Sequence, residues 1–139
     1  MWYFAAALLI FSVWFGTNEI FHERMVTHLE RTMYTVHIDQ SKIRYGDINL
    51  FDAKRMDKVG ILRSTEVYED IPSYKTIKKE GVTEGSARWQ QLMQEATNTY
   101  KQALKTVAQG TYVLLVEEGG VTEYTTTDVT KDLIKQVKG

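Results

Sequence analysis

The histidines His22 and His28, with Glu23 between them, come closest to a metal-binding motif in this sequence. A zinc-binding HExxH helix places its two histidines four positions apart, so that both imidazoles share one helix face. Here His28 follows His22 by six positions, which puts the two rings on different faces of a helix. We therefore expect no metal site.

Two further residue sets invite a catalytic interpretation and have simpler explanations. His37 lies in a strand-like segment, and the sequence assigns no serine or carboxylate partner that would make it a base. Asp128, followed by Thr130, is typical of a helix N-cap. We predict no catalytic, cofactor-binding or metal-binding residues and no cofactor. The protein is predicted not to be an enzyme, since no polar pocket can be assembled from these residues.

Three other patterns are also predicted to be structural. The glycine steps at Gly119-Gly120 and at Gly81 with Gly85 lack the spacing of a phosphate-binding loop, so we expect turns. The lysine-rich segment 74–80 could contact anionic lipid or an acidic partner, but is predicted to be a solvated face. An apolar stripe at helical spacing is predicted to be core or an oligomer seam, and consists of Trp89, Leu92, Met93, Ala96 and Tyr100.

Composition limits the class of protein. A chain of 139 residues is long enough for one domain with its own core. Its 17 Lys plus Arg are balanced by 18 Asp plus Glu, so there is no basic excess for nucleic-acid binding. The absence of cysteine excludes a disulfide framework, a cysteine-based zinc site and a thiol nucleophile.

The N-terminal segment predicts a membrane anchor. Residues 2–15 are apolar except for Ser12, and continuing this helix to Phe21 gives about twenty residues, enough to cross a bilayer. Aromatic residues lie near both ends, as in membrane-interface belts. A signal peptide is the main alternative, but no Lys or Arg precedes the apolar run and no small-x-small cleavage site follows it. A core or subunit-packing helix is the third interpretation.

Beyond the anchor, residues 20–29 carry an apolar helical stripe and predict an amphipathic neck that packs in an oligomer. The charges around it are mixed, so the positive-inside rule leaves the orientation open. We assign residues 1–31 to the anchor and neck, and residues 32–139 to an α+β head. The whole fold is predicted to be a transmembrane helix followed by a small β head with a helical insertion, in the order strand, helices, strand, strand, helix.

Within the head, residues 33–38 alternate as in a strand. Short helical turns are expected at 40–45 and 51–58, with loop between them. A helix opens at Pro72 and ends at Gly81, and a helix of about six turns covers 86–109.

The C-terminal part of the head predicts a hairpin and a helix. Residues 111–117 form a continuous apolar run, which favours a strand buried on both faces. A turn at Gly119-Gly120 and a strand at 121–126 complete the predicted hairpin. The last helix follows the cap at Asp128 or Thr130.

This order resembles the Skp/OmpH family of periplasmic chaperones. Segment 100–138, YKQALKTVAQGTYVLLVEEGGVTEYTTTDVTKDLIKQVK, is similar to the closing part of that family, with Val107-Ala108 before a strand and Asp128-Val129-Thr130 leading into the last helix. Segment 34–43, YTVHIDQSKI, resembles its first strand and Asp-x-x-Lys entry. The resemblance implies a β head that forms a trimer through its strands, with helical arms that enclose unfolded outer-membrane proteins. The arms are shortened here, and this chain is near neutral where family members are commonly basic.

Two functional hypotheses follow. The first is a non-enzymatic, membrane-anchored envelope protein that self-associates, as a homotrimer, and acts as a scaffold or chaperone-like holder. It would be a single-pass protein of the bacterial inner membrane with a periplasmic head, whose contacts are itself and the bilayer, without nucleic acid or a small-molecule substrate. The second is an accessory subunit of a larger membrane complex, whose N-terminal helix packs against other transmembrane subunits. The small residues Ala5, Ala6 and Ala7 would permit such close helix packing.

Overall fold

A four-stranded sheet lies at the centre of residues 36–139, the part of the chain that the computed structural model describes. The strands of the described part are β1 (His37–Ile38), β2 (Ile43–Tyr45), β3 (Val59–Leu62), β4 (Leu114–Glu117), β5 (Val121–Thr122) and β6 (Thr126–Asp128). Its α-helices are α1 (Ser64–Glu69), α2 (Pro72–Glu80), α3 (Ala87–Ala108) and α4 (Thr130–Lys138). The predicted α+β class is thereby confirmed for these residues.

The sheet has two chemically distinct ends. Its spatial order is β2-β4-β3-β6, in which β3 is parallel to both β4 and β6 while β2 is antiparallel to β4. The carboxyl ends of β3, β4 and β6 therefore meet at one end of the sheet, which we call the carboxyl end. The end of β2 and the starts of β3 and β4 meet at the opposite, amino end.

Both faces of the sheet are covered. Successive strand side chains point to opposite faces, so the strands contribute to a separate part of the core on each side. Leu115 and Leu62 pack on one face against the helices, with Val129, Leu133 and Val137. Leu114, Val116 and Val59 pack on the other face against the ribbon formed by β1 and β5 and against the loop that joins β2 to β3. The prediction that the apolar run at 111–117 contains a strand buried on both faces is confirmed, although the strand itself is shorter.

The two longer predicted helices of this region are present as α2 and α3, and the predicted residues lie at both ends of α2 and at the start of α3. Pro72 opens α2, and Gly81 ends it with φ of 60°, a backbone conformation that glycine adopts without strain. Ser86 caps α3, since its hydroxyl accepts the backbone N–H of Trp89 at 3.2 Å. The buried residues of α3 follow the predicted stripe into the core: Ala96, Tyr100, Ala103, Leu104 and Ala108.

The predicted hairpin is wrong. β5 pairs with β1 instead of β4, and Thr126–Asp128 forms a separate strand beside β3. Glu123 separates the two pieces, because its φ of 59° takes the backbone out of the extended conformation. The glycine turn after β4 is present and directs the chain to β1 through a hydrogen bond from the Asp39 N–H to the Gly120 carbonyl, 2.8 Å.

Besides β6, the strands β2 and β3 and the helix α1 are absent from the sequence-based prediction, so three strands precede the helices where the predicted order has one. Residues 43–45 were expected in a helical turn and form β2, after a 3-10 turn at Gln40–Lys42. Gly60 lies inside β3, where an added Cβ would come within 2.6 Å of the Leu115 side chain. The turn expected within 51–58 is present at Ala53–Arg55, whereas α1 was not predicted.

The predicted anchor and neck, residues 1–31, lie outside the described residues, as do residues 32–35 of the predicted head. The first predicted strand is present in part as β1. Among the helices of residues 36–139, none combines the length and apolarity needed to cross a bilayer.

Candidate functional site

A hydrogen-bonded network lies at the carboxyl end, where ligands commonly bind in sheets with parallel strands. Its centre is Glu117 at the end of β4. One Glu117 oxygen accepts the Ser64 backbone N–H at 2.9 Å, and the other accepts Arg44 Nε at 3.1 Å and the Ser64 hydroxyl. The Tyr100 hydroxyl of α3 lies 2.6 Å from the same Ser64 Oγ. The network thus connects β2, β4, α1 and α3.

The network keeps Glu117 ionised and Tyr100 neutral. Burial raises the pKa of Glu117, but the hydrogen bonds from Ser64 and Arg44 outweigh burial and leave the pKa below its ordinary value of 4.5. Burial raises the pKa of Tyr100 above its ordinary value of 10.0, against the lowering effect of its hydrogen bond with Ser64. The Tyr100 phenol therefore keeps its proton at neutral pH.

A second set of charges surrounds Arg63, the residue between β3 and α1. Its guanidinium lies 2.7 Å from Glu66, 3.0 Å from Asp128 and 3.5 Å from Glu118. These hydrogen bonds, first that to Glu66, raise the pKa of Arg63. Hydrogen bonds from Thr130 and from Arg63 hold the pKa of Asp128 below its ordinary value. The cluster ties the start of α1 to the ends of β4 and β6.

The residues at the carboxyl end are arranged to stabilise the fold, and Glu117 is poorly suited to act as a general base. A general base works best with a pKa near the operating pH, and the pKa of Glu117 is shifted downwards, away from that range. Both Glu117 oxygens already accept hydrogen bonds from the protein. Within residues 36–139, every buried side-chain nitrogen and oxygen has a hydrogen-bond partner. The polar groups of this end are used in holding the elements together.

The amino end carries a loop of different character, residues 47–58, which we call the apolar tip. Three aspartates shape it. Asp47 accepts the Asn49 N–H at 2.9 Å and Asp52 accepts the Lys54 N–H at 2.8 Å, so each caps a 3-10 turn. Asp57 accepts the Asp52 N–H at 2.8 Å and cross-links the loop.

Arg55 and two aromatic rings complete the tip. Arg55 donates to the Leu50 carbonyl at 2.7 Å and to Asp57 at 2.9 Å. Phe51 packs edge-on against Tyr124, with 5.3 Å between ring centroids, and the Tyr124 hydroxyl donates to the Asp57 carbonyl at 2.6 Å. The base of the loop is therefore packed and hydrogen-bonded.

On this base, two large apolar side chains face solvent. Leu50 is 65% exposed and Met56 is 81% exposed, and they are the exposed large hydrophobic residues of the described part of the chain. Met56 also has φ of 55°, a conformation that costs a residue with a Cβ about 1 kcal/mol or more. The loop therefore holds two apolar side chains in water, one of them on a strained backbone.

The residues singled out in the sequence are not brought together. His22, Glu23 and His28 lie outside the described residues. His37 is exposed on β1, beside Thr122 of β5. The predicted cap at Asp128 or Thr130 is wrong in position, because the N-cap of α4 is Val129, whose side chain makes no capping hydrogen bond. Asp128, one residue earlier, accepts the Thr130 N–H at 2.9 Å and so satisfies the first N–H of the helix.

The other patterns have structural roles. Lys75 pairs with Asp70 at 2.9 Å and Lys78 pairs with Glu69 at 3.1 Å, so the lysine-rich face of α2 is held by ion pairs at the surface. The predicted stripe is core at Ala96 and Tyr100 and half-buried at its other positions.

Sequence reasoning missed both the carboxyl-end network and the apolar tip. The network brings together residues as far apart in the chain as Arg44 and Glu117, and no local pattern links them. The tip did carry a local signal, because Asp47 and Asp52 each stand directly before a short segment that they cap. Three aspartates at intervals of five residues, with apolar residues between them, indicate a loop that is ordered by its own side-chain hydrogen bonds.

Comparisons with known proteins give no match: no family model, no curated protein and no solved structure is similar to this chain at a significant level. The described residues also contain no group of three or more His, Cys, Asp or Glu side chains that could hold a metal ion.

Proposed function

We propose that this chain is a non-enzymatic, membrane-anchored envelope protein whose head self-associates and serves as a scaffold or chaperone-like holder. Residues 1–31 supply the transmembrane helix and neck, and residues 32–139 form the head at the periplasmic side of the bacterial inner membrane. The observation that carries the proposal is the apolar tip, which displays Leu50 and Met56 on a hydrogen-bonded loop.

The tip has the properties of a protein contact. Exposed apolar side chains cost free energy in water and gain it when a partner covers them. A loop that is already ordered loses less conformational entropy on binding than a flexible one. Because Arg55 and Asp57 fix the loop, Leu50 and Met56 are held in position before any contact forms. The partner proposed for this surface is a second copy of the head.

The carboxyl end supports a non-enzymatic role. Its serine, tyrosine and carboxylate groups bond to one another, and the pKa of Glu117 is shifted away from the range of a general base. The resemblance to the Skp/OmpH family supports self-association as a homotrimer.

The test is the native mass of the full-length protein, extracted gently in detergent and measured by light scattering, with identification of copurifying proteins. The wild type is expected as a homotrimer. The double variant Leu50→Ser/Met56→Ser is expected to be smaller, because both apolar side chains of the tip are lost. The matched control Leu50→Met/Met56→Leu keeps the apolar surface and is expected to retain the wild-type mass.

Two results would contradict the proposal. A wild type that copurifies with integral membrane proteins at fixed stoichiometry would identify an accessory subunit instead. An unchanged mass of the serine variant would remove the tip from the interface. The anchor is tested separately: deletion of residues 1–15 should release the protein from membranes, and retention in the membrane fraction would show that another part of the protein or a partner holds it.

A further inference from the structure

One of the two exposed apolar side chains of the tip contains sulfur. Met56 is 81% exposed, whereas Met93, the other methionine of residues 36–139, is half-buried on α3. The full sequence contains no cysteine, so its thioethers are the groups that a mild two-electron oxidant attacks first. Exposure governs how fast such a group meets a dissolved oxidant. Met56 is therefore the more readily oxidised of these two methionines.

The backbone at Met56 indicates that the side chain is not there for the fold. Met56 follows the 3-10 turn Ala53–Arg55 and has φ of 55° and ψ of 40°, in the left-handed region. Glycine and asparagine adopt this conformation at a lower cost than a long side chain does. Residues held in such conformations concentrate at functional sites. A methionine at this position therefore points to a role of its exposed thioether.

The side-chain hydrogen bonds that order the tip do not involve the sulfur of Met56. Arg55 donates to the Leu50 carbonyl and to the Asp57 carboxylate, which also accepts the Asp52 N–H. Met56 takes part through its backbone N–H, which closes the 3-10 turn at 3.0 Å. A chemical change at the Met56 sulfur therefore alters the exposed surface and leaves the loop ordered.

We propose that Met56 is a redox-sensitive site, at which oxidation to the sulfoxide by a hydroperoxide releases the contact between heads. This inference rests on the proposed function, because it assigns the regulation of the same apolar tip. In the reaction, a sulfur lone pair attacks one peroxide oxygen, an S–O bond forms and the O–O bond breaks. Sulfur is oxidised by two electrons and the peroxide is reduced by two. The hydroxide that leaves takes the proton from the new S–OH group, so hydrogen peroxide yields methionine sulfoxide and water.

The sulfoxide opposes the contact because its oxygen is a hydrogen-bond acceptor. In water this oxygen is hydrated, and burial against apolar side chains such as Leu50 removes the hydration without replacing it. The opposite coupling also holds, since a second copy that covers Met56 keeps the peroxide away from the sulfur. Oxidation thus selects free heads, and association protects assembled ones. An oxidised head stays out of the assembly until its sulfoxide is reduced, because oxidation of methionine to the sulfoxide is reversible.

The test treats the full-length protein in peroxide-free detergent with hydrogen peroxide and stops the reaction with free methionine. Light scattering measures the native mass, and liquid chromatography with mass spectrometry measures the sulfoxide fraction at Met56 and at Met93. In dilute protein, Met56 is expected to be oxidised about threefold or more faster than Met93. The native mass is expected to fall as Met56 sulfoxide accumulates, and methionine sulfoxide reductases of both stereospecificities should restore it. Raising the protein concentration should slow the oxidation of Met56 and not that of Met93.

Two variants assign the effect to one sulfur. Met93→Leu retains Met56 and is expected to lose assembly on oxidation as the wild type does. Met56→Leu is compared with itself before and after peroxide, and its native mass is expected to stay the same because leucine has no sulfur. Both variants retain the three methionines of residues 1–35, so the pair separates the effect of Met56 from theirs.

Three results would overturn the inference. They are equal oxidation rates at Met56 and Met93, a homotrimer that persists after full conversion of Met56, and loss of assembly by Met56→Leu in peroxide. In each of them, an untreated wild type that is a homotrimer leaves the proposed self-association intact. An untreated wild type that is monomeric contradicts the proposed function itself, so the two failures are distinguished before any peroxide is added.

Discussion

The two ends of the central sheet use aspartate, glutamate and arginine for different purposes. At the carboxyl end, Glu117 accepts hydrogen bonds from Arg44 and from Ser64, so the charged groups join separate elements. At the amino end, Asp52, Asp57 and Arg55 bond within one loop and leave apolar side chains outside. The polar groups of the carboxyl end are therefore occupied by hydrogen bonds that stabilise the fold. Those of the amino end hold a loop whose apolar side chains remain exposed.

This difference indicates where function is to be sought. A crevice at the carboxyl end of parallel strands is the usual ligand site of such sheets. Here that position is filled by the protein's own hydrogen bonds, whereas the exposed apolar side chains are at the opposite end. Position in a fold is therefore a weaker guide than the state of the side chains that occupy it.

The largest expected effect is on folding stability, and it distinguishes a buried position in the middle of the sheet from an exposed position at its amino end. Leu115→Asp places an unpaired carboxylate in β4, at a position with 0% exposure, and is expected to cost at least about 4 kcal/mol, enough to unfold the head. Leu50→Asp introduces the same group at the tip and is expected to leave the head folded while weakening self-association. Pulse proteolysis in urea, combined with native mass, measures both effects. A folded Leu115→Asp head would refute the assignment of β4 as a central strand.

A smaller effect tests the carboxyl end through pH. The folded-state pKa of Glu117 is depressed, so its contribution to stability is present above its ordinary value of 4.5 and is lost as the pH falls through the folded-state pKa. Glu117→Gln is expected to cost about 1–3 kcal/mol at pH 7, because it weakens the charged hydrogen bonds with Arg44 and Ser64. The difference between wild type and variant should shrink towards pH 3.

The control for this pH series is Glu118→Gln. Its side chain is 58% exposed and lies 3.5 Å from Arg63, so the change is expected to alter the unfolding free energy by less than about 0.5 kcal/mol. Some acid sensitivity should persist in Glu117→Gln, since the pKa of Asp128 is also lowered. A wild type and a Glu117→Gln variant with the same stability at every pH would show that the network contributes nothing to folding.

The sequence predicted local features better than long-range ones. Pro72 and Gly81 predict the two ends of α2, and Ser86 predicts the start of α3. These ends can be predicted because helix capping depends on residues that are neighbours in the sequence. The partner of β5 depends instead on which edge is free after the chain has folded, and the hairpin prediction chose the nearest strand. β2 and β3 are short, and packing against Leu115 requires a glycine at position 60 of β3, a residue that weakens the sequence signal of a strand. The network around Glu117 could not be predicted, since its members share no local pattern.

The smallest expected effect concerns the backbone of the tip. At Met56, where φ is 55°, glycine should be more stable than alanine by about 0.5–1 kcal/mol, because only glycine avoids the cost of the left-handed conformation. At Lys75, an exposed position in the middle of α2, the order should reverse, with alanine more stable by about 1 kcal/mol. Pulse proteolysis in urea measures both pairs. Equal stabilities at position 56 would contradict a fixed left-handed residue there. If Met56→Gly stabilises the head relative to the wild type and also weakens self-association, the Met56 side chain contributes to the contact between copies at a cost to folding stability. That result would separate the amino end, where a side chain serves binding, from the carboxyl end, where the side chains serve the fold.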